Sequence, residues 1–303
     1  MQSSHGSKES IRVQNITGST IYVQRQGKAL NEFVYDRSGE GYLTTQISLL
    51  SSHLLATPID MSIRRATSTD EGDRLVVVNN DGSAAVYTLL KDQNIVAATK
   101  FTTDGDLLNV ATVVSDQYVA VKRTINSANK YYIELFDEDL TLDSAVSGGA
   151  ASSHSSGHLN QKTVKVIGDG VMQADVTAGA STITFASSTS SSYQAGLDYT
   201  VTLKTLPIEP GIQGVASLKG FKKRVLEVNA FLNETQNLTI NDNTIPIRTL
   251  GTSNLDVGVP SFTGTKTLHG ILGYSLTGQI TIGQSAPLKL HLLGMDYKVS
   301  TGG

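Results

Sequence analysis

Through most of the chain, short runs of branched and aromatic residues alternate with polar ones, and clusters of Gly, Asn, Asp and Ser separate the runs. A spacing of two puts successive side chains on opposite faces of a strand, so the pattern predicts β-structure. Over 11–36 it predicts strands at 11–13, 21–24 and 32–35, with turns at Gly18 and at Gln26-Gly27. The period then changes. Ile47, Leu50 and Leu54 recur at spacings of three and four, Thr44 or Thr45 can act as N-cap, and Pro58 follows, which together predict one helix over 45–55.

From Ile59 the spacing of two returns. Leu75-Val76-Val77-Val78 leads through Asn79-Asn80-Asp81-Gly82 into Ala84-Ala85-Val86-Tyr87-Thr88-Leu89. Asp-Gly between two such runs predicts a hairpin closed by a type I′ turn, with positive φ at both central residues. Further strands are expected at 95–99, 110–114, 118–123 and 131–135. This succession of short strands and turns is the pattern of a propeller-like meander or a sandwich. The Ser- and Gly-rich stretch 144–157 reads as a linker. After it, 158–206 reads as a small β insert domain with strands at 163–167, 171–176, 182–185 and 199–203. The remainder, 207–303, reads as a C-terminal antiparallel β domain. Its strand 225–232 alternates cleanly and should turn Leu226, Val228, Ala230 and Leu232 to the core. The expectation is an all-β protein: an incomplete propeller-like meander over 1–143 with one short helix, the linker, the insert and the C-terminal domain.

Composition narrows the function. Across 303 residues charged side chains make up 17%, below the roughly 25% usual in soluble domains, and Trp is absent, so the core is aliphatic with Tyr. A net charge of −3 argues against a protein that grips nucleic acid through its phosphates. With no Cys there is neither a disulfide framework nor a thiolate metal site. No apolar run is long enough to cross a membrane as a helix.

Candidate chemistry is thin. His154 and His158 lack a third ligand nearby in sequence. Asp104-Gly105-Asp106 lacks the later positions of a calcium loop. Gly168-Asp169-Gly170 joins two strands rather than opening a helix, so it reads as a hairpin and not a phosphate loop. Asp137, Glu138 and Asp139 crowd into one segment, as in a solvated turn. No catalytic residue, cofactor or metal site is expected, and the chain reads as a non-enzyme. Only the basic cluster Lys219, Lys222, Lys223 and Arg224 carries a functional suggestion, as a subunit contact or a brush contact with DNA phosphates.

Several short segments, in order, are similar to one family. They include Tyr22-Val23-Gln24-Arg25-Gln26-Gly27-Lys28, Glu32-Phe33-Val34-Tyr35-Asp36, Phe101-Thr102-Thr103-Asp104-Gly105 and Tyr132-Ile133-Glu134-Leu135-Phe136. The stretch 158–210 adds Lys162-Thr163-Val164, Gly196-Leu197-Asp198-Tyr199 and Leu203-Lys204-Thr205-Leu206-Pro207, and Lys222-Lys223-Arg224-Val225 follows. In these the chain resembles the tail nozzle proteins of short-tailed bacteriophages, also called tail tubular protein B or tail stabilisation proteins. Members carry Trp in the strands corresponding to 75–78 and 95–99, and a large N-terminal part that here would precede His5. The resemblance implies a structural virion protein of the phage tail, made in the host cytoplasm and assembled as a homo-oligomeric ring of six. The ring would contact other tail proteins (adaptor, fibre or spike) and let viral DNA pass during ejection without specific binding or membrane insertion. The alternative is a β-rich adhesin or carbohydrate-binding module on a virion or cell surface, which requires exposed aromatic platforms.

Overall fold

The computed structural model describes residues 6–68, 71–209, 219–248, 251, 257–271 and 273–302. They form antiparallel sheets and two single-turn 3-10 helices, with no α-helix among the described residues. The chain divides into two compact units, 1–138 and 139–303.

The first unit is a run of three meanders. Its first sheet holds β1 (Gln14–Ile16), β2 (Ser19–Val23), β3 (Leu30–Asp36) and β4 (Gly41–Gln46). A second sheet holds β5 (Pro58–Arg64), β6 (Asp73–Asn79), β7 (Ala84–Leu90) and β8 (Ile95–Phe101), and a third holds β9 (Asp106–Val113), β10 (Asp116–Ile125) and β11 (Ala128–Leu135). Within each sheet the strands pair in sequence order; the strand expected at 11–13 forms instead at 14–16, and the hydrophobic pattern does not predict β4. Three sheets do not by themselves close a propeller.

The unbroken apolar run Leu75-Val76-Val77-Val78 has a structural reason. The second sheet is covered on both faces. Leu75 and Val77, with Ala85, Tyr87 and Leu89, meet Ile16, Ile21, Val23 and Leu30 of the first sheet. Val76 and Val78, with Ala84, meet Leu107, Val110, Val119 and Val121 of the third. A strand buried on two sides needs no polar face, so alternation disappears from its sequence. All four residues of the run are fully buried.

Two expectations are corrected here. The residues expected as a helix over 45–55 fold otherwise: Thr45 and Gln46 end β4, and only Ser52–Leu54 make a 3-10 turn. The β-branched Thr44, Thr45 and Ile47 favour the strand, and Glu32 pairs with Thr45. Ser48 accepts a hydrogen bond from the Leu30 amide at 2.9 Å, which ties this segment to the start of β3. Leu49 and Leu50 point to solvent, so the apparent apolar stripe is not a buried face. The Asn79–Ser83 hairpin forms, but Gly82 alone among its turn residues has positive φ, at 78°. Its turn therefore follows the three-residue pattern with a left-handed Gly. The two-residue Asp-Gly turn occurs instead at Asp169 (φ 52°) and Gly170 (φ 76°).

In the second unit, the stretch 144–157 is not a bare linker. It lies partly in β12 (Asp143–Gly148) and β13 (Ser153–His154). β12 joins a sheet with β14 (Thr163–Gly168), β15 (Val171–Met172) and β18 (Tyr193–Leu197), and β16 (Val176–Thr177) also pairs with β14. β13 pairs with β17 (Ile183–Thr184). The end of the expected insert, β19 (Thr202–Lys204), belongs to a C-terminal sheet with β21 (Thr239–Ile240), β22 (Asn243–Thr244) and β24 (Thr281–Gly283). A last sheet sets the long β20 (Lys222–Thr235) between β23 (Phe262–His269) and β25 (Leu292–Gly302). Val225, Val228, Ala230 and Leu232 of β20 pack with Leu238, Ile240, Ile280 and Ile282.

Candidate functional site

The basic cluster lies at the start of β20, and the structure takes it apart. Lys219 is exposed, its ammonium 3.9 Å from Glu209, and Lys222 is exposed at the strand end. Lys223 is only 2% exposed. Its ammonium donates to the Leu276 carbonyl at 2.9 Å, and its backbone exchanges hydrogen bonds with Ser275. Arg224 is half-buried, with its guanidinium 5.9 Å from the Tyr274 ring centre. As a surface contact, then, the cluster reduces to Lys219 and Lys222; Lys223 and Arg224 hold the 274–276 loop.

The cause is a β-bulge. Against β25 the pairing shifts between Val225 and Glu227. Val228, Ala230 and Leu232 face the core as expected, whereas before the bulge Lys223 and Val225 take the inward positions and Leu226 does not. One extra residue reverses which side chains face in. Clean alternation in the sequence carries no sign of it.

Other sequence candidates resolve into structure. Asp169 sits in the hairpin turn between β14 and β15 and accepts five hydrogen bonds, from the amides of Ser190, Ser191 and Ser192 and the hydroxyls of Ser190 and Ser191, at 2.7–3.0 Å. These donors hold its carboxyl well below the usual carboxylate range. His154 Nδ1 lies 2.5 Å from the Tyr193 hydroxyl. Burial, and the nearby His158, lower the pKa of His154. His158 Nδ1 contacts the Ser156 hydroxyl and its Nε2 lies 3.0 Å from the Ser144 carbonyl. The described residues contain no group of three or more metal-ligating side chains. Asp104 and Asp106 do not form a calcium loop: the Asp104 carbonyl accepts from Arg123 and Asp106 pairs with Lys122 at 2.6 Å.

Two surfaces of the first unit were not singled out by sequence. One is a groove of about 290 Å³ lined by Ile16, Ile21, Ile47, Leu89, Ile95 and Val96, with Glu32 and Lys91 in its wall. Those two form an ion pair that the Ser19 hydroxyl joins, so the polar wall is internally satisfied and the floor is apolar. The other is aromatic. On β3, residues 31, 33 and 35 face away from the second sheet, because Leu30 on the opposite face packs toward it. There the Phe33 and Tyr42 rings stack with centres 4.9 Å apart, and Tyr35 meets Tyr42 edge-on at 5.2 Å. The readable signal was the i, i+2 pair Phe33 and Tyr35 followed by Tyr42 beyond a turn.

No protein family model matches the chain, and no curated protein is found similar to it. The surfaces themselves must therefore carry the functional reading. The outer face of the third sheet completes them. Register places Tyr118, Ala120 and Lys122 of β10 beside Leu135, Ile133 and Tyr131 of β11 on the face opposite Val119 and Val121. Ile133 is 81% and Tyr131 69% exposed. The middle sheet is covered twice, while each outer sheet keeps an apolar face in water.

Proposed function

We propose that this chain is a structural subunit of a short phage tail, assembled as a ring through which DNA is ejected. One observation supports the reading most: the first unit ends in two unlike apolar sheet faces, aromatic on the first sheet and mixed aliphatic and Tyr on the third. Exposed apolar patches of this kind mark association surfaces. Two different faces favour a head-to-tail contact, and a head-to-tail contact whose rotation closes makes a ring. The ordered similarity to tail nozzle proteins points the same way, and the net charge of −3 suits a conduit that does not hold DNA.

The test is mass in solution followed by negative-stain imaging, alone and with short-tail partner proteins. Rings are expected, and Tyr42→Asp or Ala120→Arg should abolish them while leaving the fold intact. A chain that never forms rings, even with its partners, would overturn the proposal. Lys219 and Lys222 are the residues proposed to brush passing DNA. Binding at physiological salt should be undetectable, and tight salt-sensitive binding would contradict the conduit.

The Phe33, Tyr35 and Tyr42 platform also supports a second reading, a carbohydrate-binding adhesin, because sugars stack on exposed rings. A glycan array separates the two. Binding that Tyr42→Ala removes would favour the adhesin.

A further inference from the structure

The first two sheets of the first unit have four strands each, whereas the third has three and ends on β11. Among the described residues, nothing pairs with the free edge of β11. Natural edge strands are blunted by charges, bulges, Pro or shortness. β11 carries Lys130 and Glu134 but none of the other devices: it is eight residues long, lacks Pro and Gly, and pairs with β10 over its whole length without a shift. Its apolar side chains stand at a spacing of two on one face, with Ile133 and Tyr131 the most exposed. Such an edge is a template for one more strand.

The sequence of the strand specifies which one. Read antiparallel to itself about Tyr132, Ala128-Asn129-Lys130-Tyr131-Tyr132-Ile133-Glu134-Leu135 is self-complementary. Tyr131 then stands opposite Ile133 of the second copy, and Lys130 opposite its Glu134, each pair occurring twice. Aromatic–β-branched and opposite-charge pairs are the favourable cross-strand neighbours. Lys130 is exposed and has reach. Glu134 already accepts from Arg123 at 2.6 and 2.7 Å, but a carboxylate has further lone pairs for a second cation. Moving the centre by one residue opposes Lys130 to Tyr132 and loses the charge match. β8, an edge of the second sheet, would oppose Phe101 to Ile95 but Lys100 to Val96 about its own centre, and so gains no charge pair.

We infer that β11 is a self-pairing edge: two copies of this chain join along it, antiparallel and centred on Tyr132, to make one continuous six-stranded sheet. The contact is two-fold, and it uses the edge rather than the outer face of the third sheet. It is therefore separate from the head-to-tail contact proposed for the ring and does not rest on it.

The experiment uses the full chain, which has no Cys of its own. Sedimentation equilibrium up to about 100 μM should show a monomer–dimer equilibrium. Ile133→Lys should weaken it about a hundredfold, and Lys130→Glu, which sets like charges opposite each other, about tenfold. Both positions are exposed, and circular dichroism checks that the variants fold. The register is read by cross-linking. Directly opposed residues have Cα atoms about 5 Å apart, within disulfide range, whereas diagonal ones are about 7–8 Å apart. Tyr131→Cys mixed with Ile133→Cys should thus oxidise to a disulfide dimer faster than either alone and faster than Ser38→Cys. A chain monomeric throughout the range overturns the inference, as does a dimer untouched by both substitutions or cross-linking equal to that of Ser38→Cys. Dimers without rings would sink the ring proposal and leave this one standing; rings without the Tyr131–Ile133 cross-link would do the reverse.

Discussion

Asp169 shows how one side chain can fix a Ser-rich loop. The two-residue turn aims its carboxylate at three consecutive backbone amides, and those bonds favour the charged form. An unfolded aspartate titrates near about 3.9, and Asp169 in the folded chain titrates lower. Between the two values the unfolded chain holds more protons, so this contribution is complete above about pH 4 and is lost as pH falls through the folded pKa. Asp81 and Glu234 are shifted the same way, by the Ser83 hydroxyl and by Lys289. His154, whose folded pKa is lowered, withdraws stability as pH drops below about 6.5. The urea midpoint should therefore decline gently from there and more steeply below about pH 4, and in Asp169→Asn the steep acid limb should be shallower. A second residue-scale case is Arg123, whose side chain is fully buried and bidentate to Glu134. Breaking a buried pair strands the partner charge, so Arg123→Ala should cost about 3 kcal/mol in urea denaturation. Lys223→Ala removes the donor to Leu276 and should cost about 1–2 kcal/mol, while Lys219→Ala should stay within about 0.5 kcal/mol.

At the scale of the element, coverage decides what a substitution costs. β6 is buried on both faces and β8 is an exposed edge. Leu75→Ala should therefore destabilise by about 3 kcal/mol, and Val96→Ala by no more than about 0.5 kcal/mol, both read from denaturant midpoints. The same property governs what could be read from the chain. The strands around 75–78, 84–89, 95–99 and 118–123 were legible because branched and aromatic residues and a Gly-marked turn agreed there. The helix over 45–55 failed because three apolar residues at helical spacing do not reveal whether they share a buried face. Strands β12 and β13 were hidden in a Ser-, Gly- and Ala-rich stretch, where backbone pairing with β18 and β17 supplies order that side chains do not advertise. The bulge in β20 was invisible for a related reason: it depends on the partner strand, and it turned Lys223 from an expected surface cation into a buried loop anchor. The aromatic platform needed the pairing of β3 with β4 before Phe33 and Tyr42 became neighbours.

At the scale of the whole molecule, the chain divides between Glu138 and Asp139. Each unit carries its own core clusters. Separately expressed 1–138 and 139–303 should each unfold cooperatively, and calorimetry of the full chain should resolve two transitions; a single transition shared by both would contradict the division. Nothing at this scale was legible as a catalytic centre, and the functional reading came from surfaces whose apolar character depends on which faces the sheets leave uncovered.

The meander order of the first unit has a consequence for how it is made. Each sheet is completed by a contiguous stretch of chain and then covered by the next stretch to be synthesised, so ordering can keep pace with translation and needs few distant segments to meet. At every pause the growing polypeptide shows an oily sheet surface that the next strands will hide. The third sheet receives no such cover from the strands of its own unit. What ends the series on the ribosome is the same surface proposed above for association between finished molecules, and a chaperone that shields the intermediate would compete with that assembly for it.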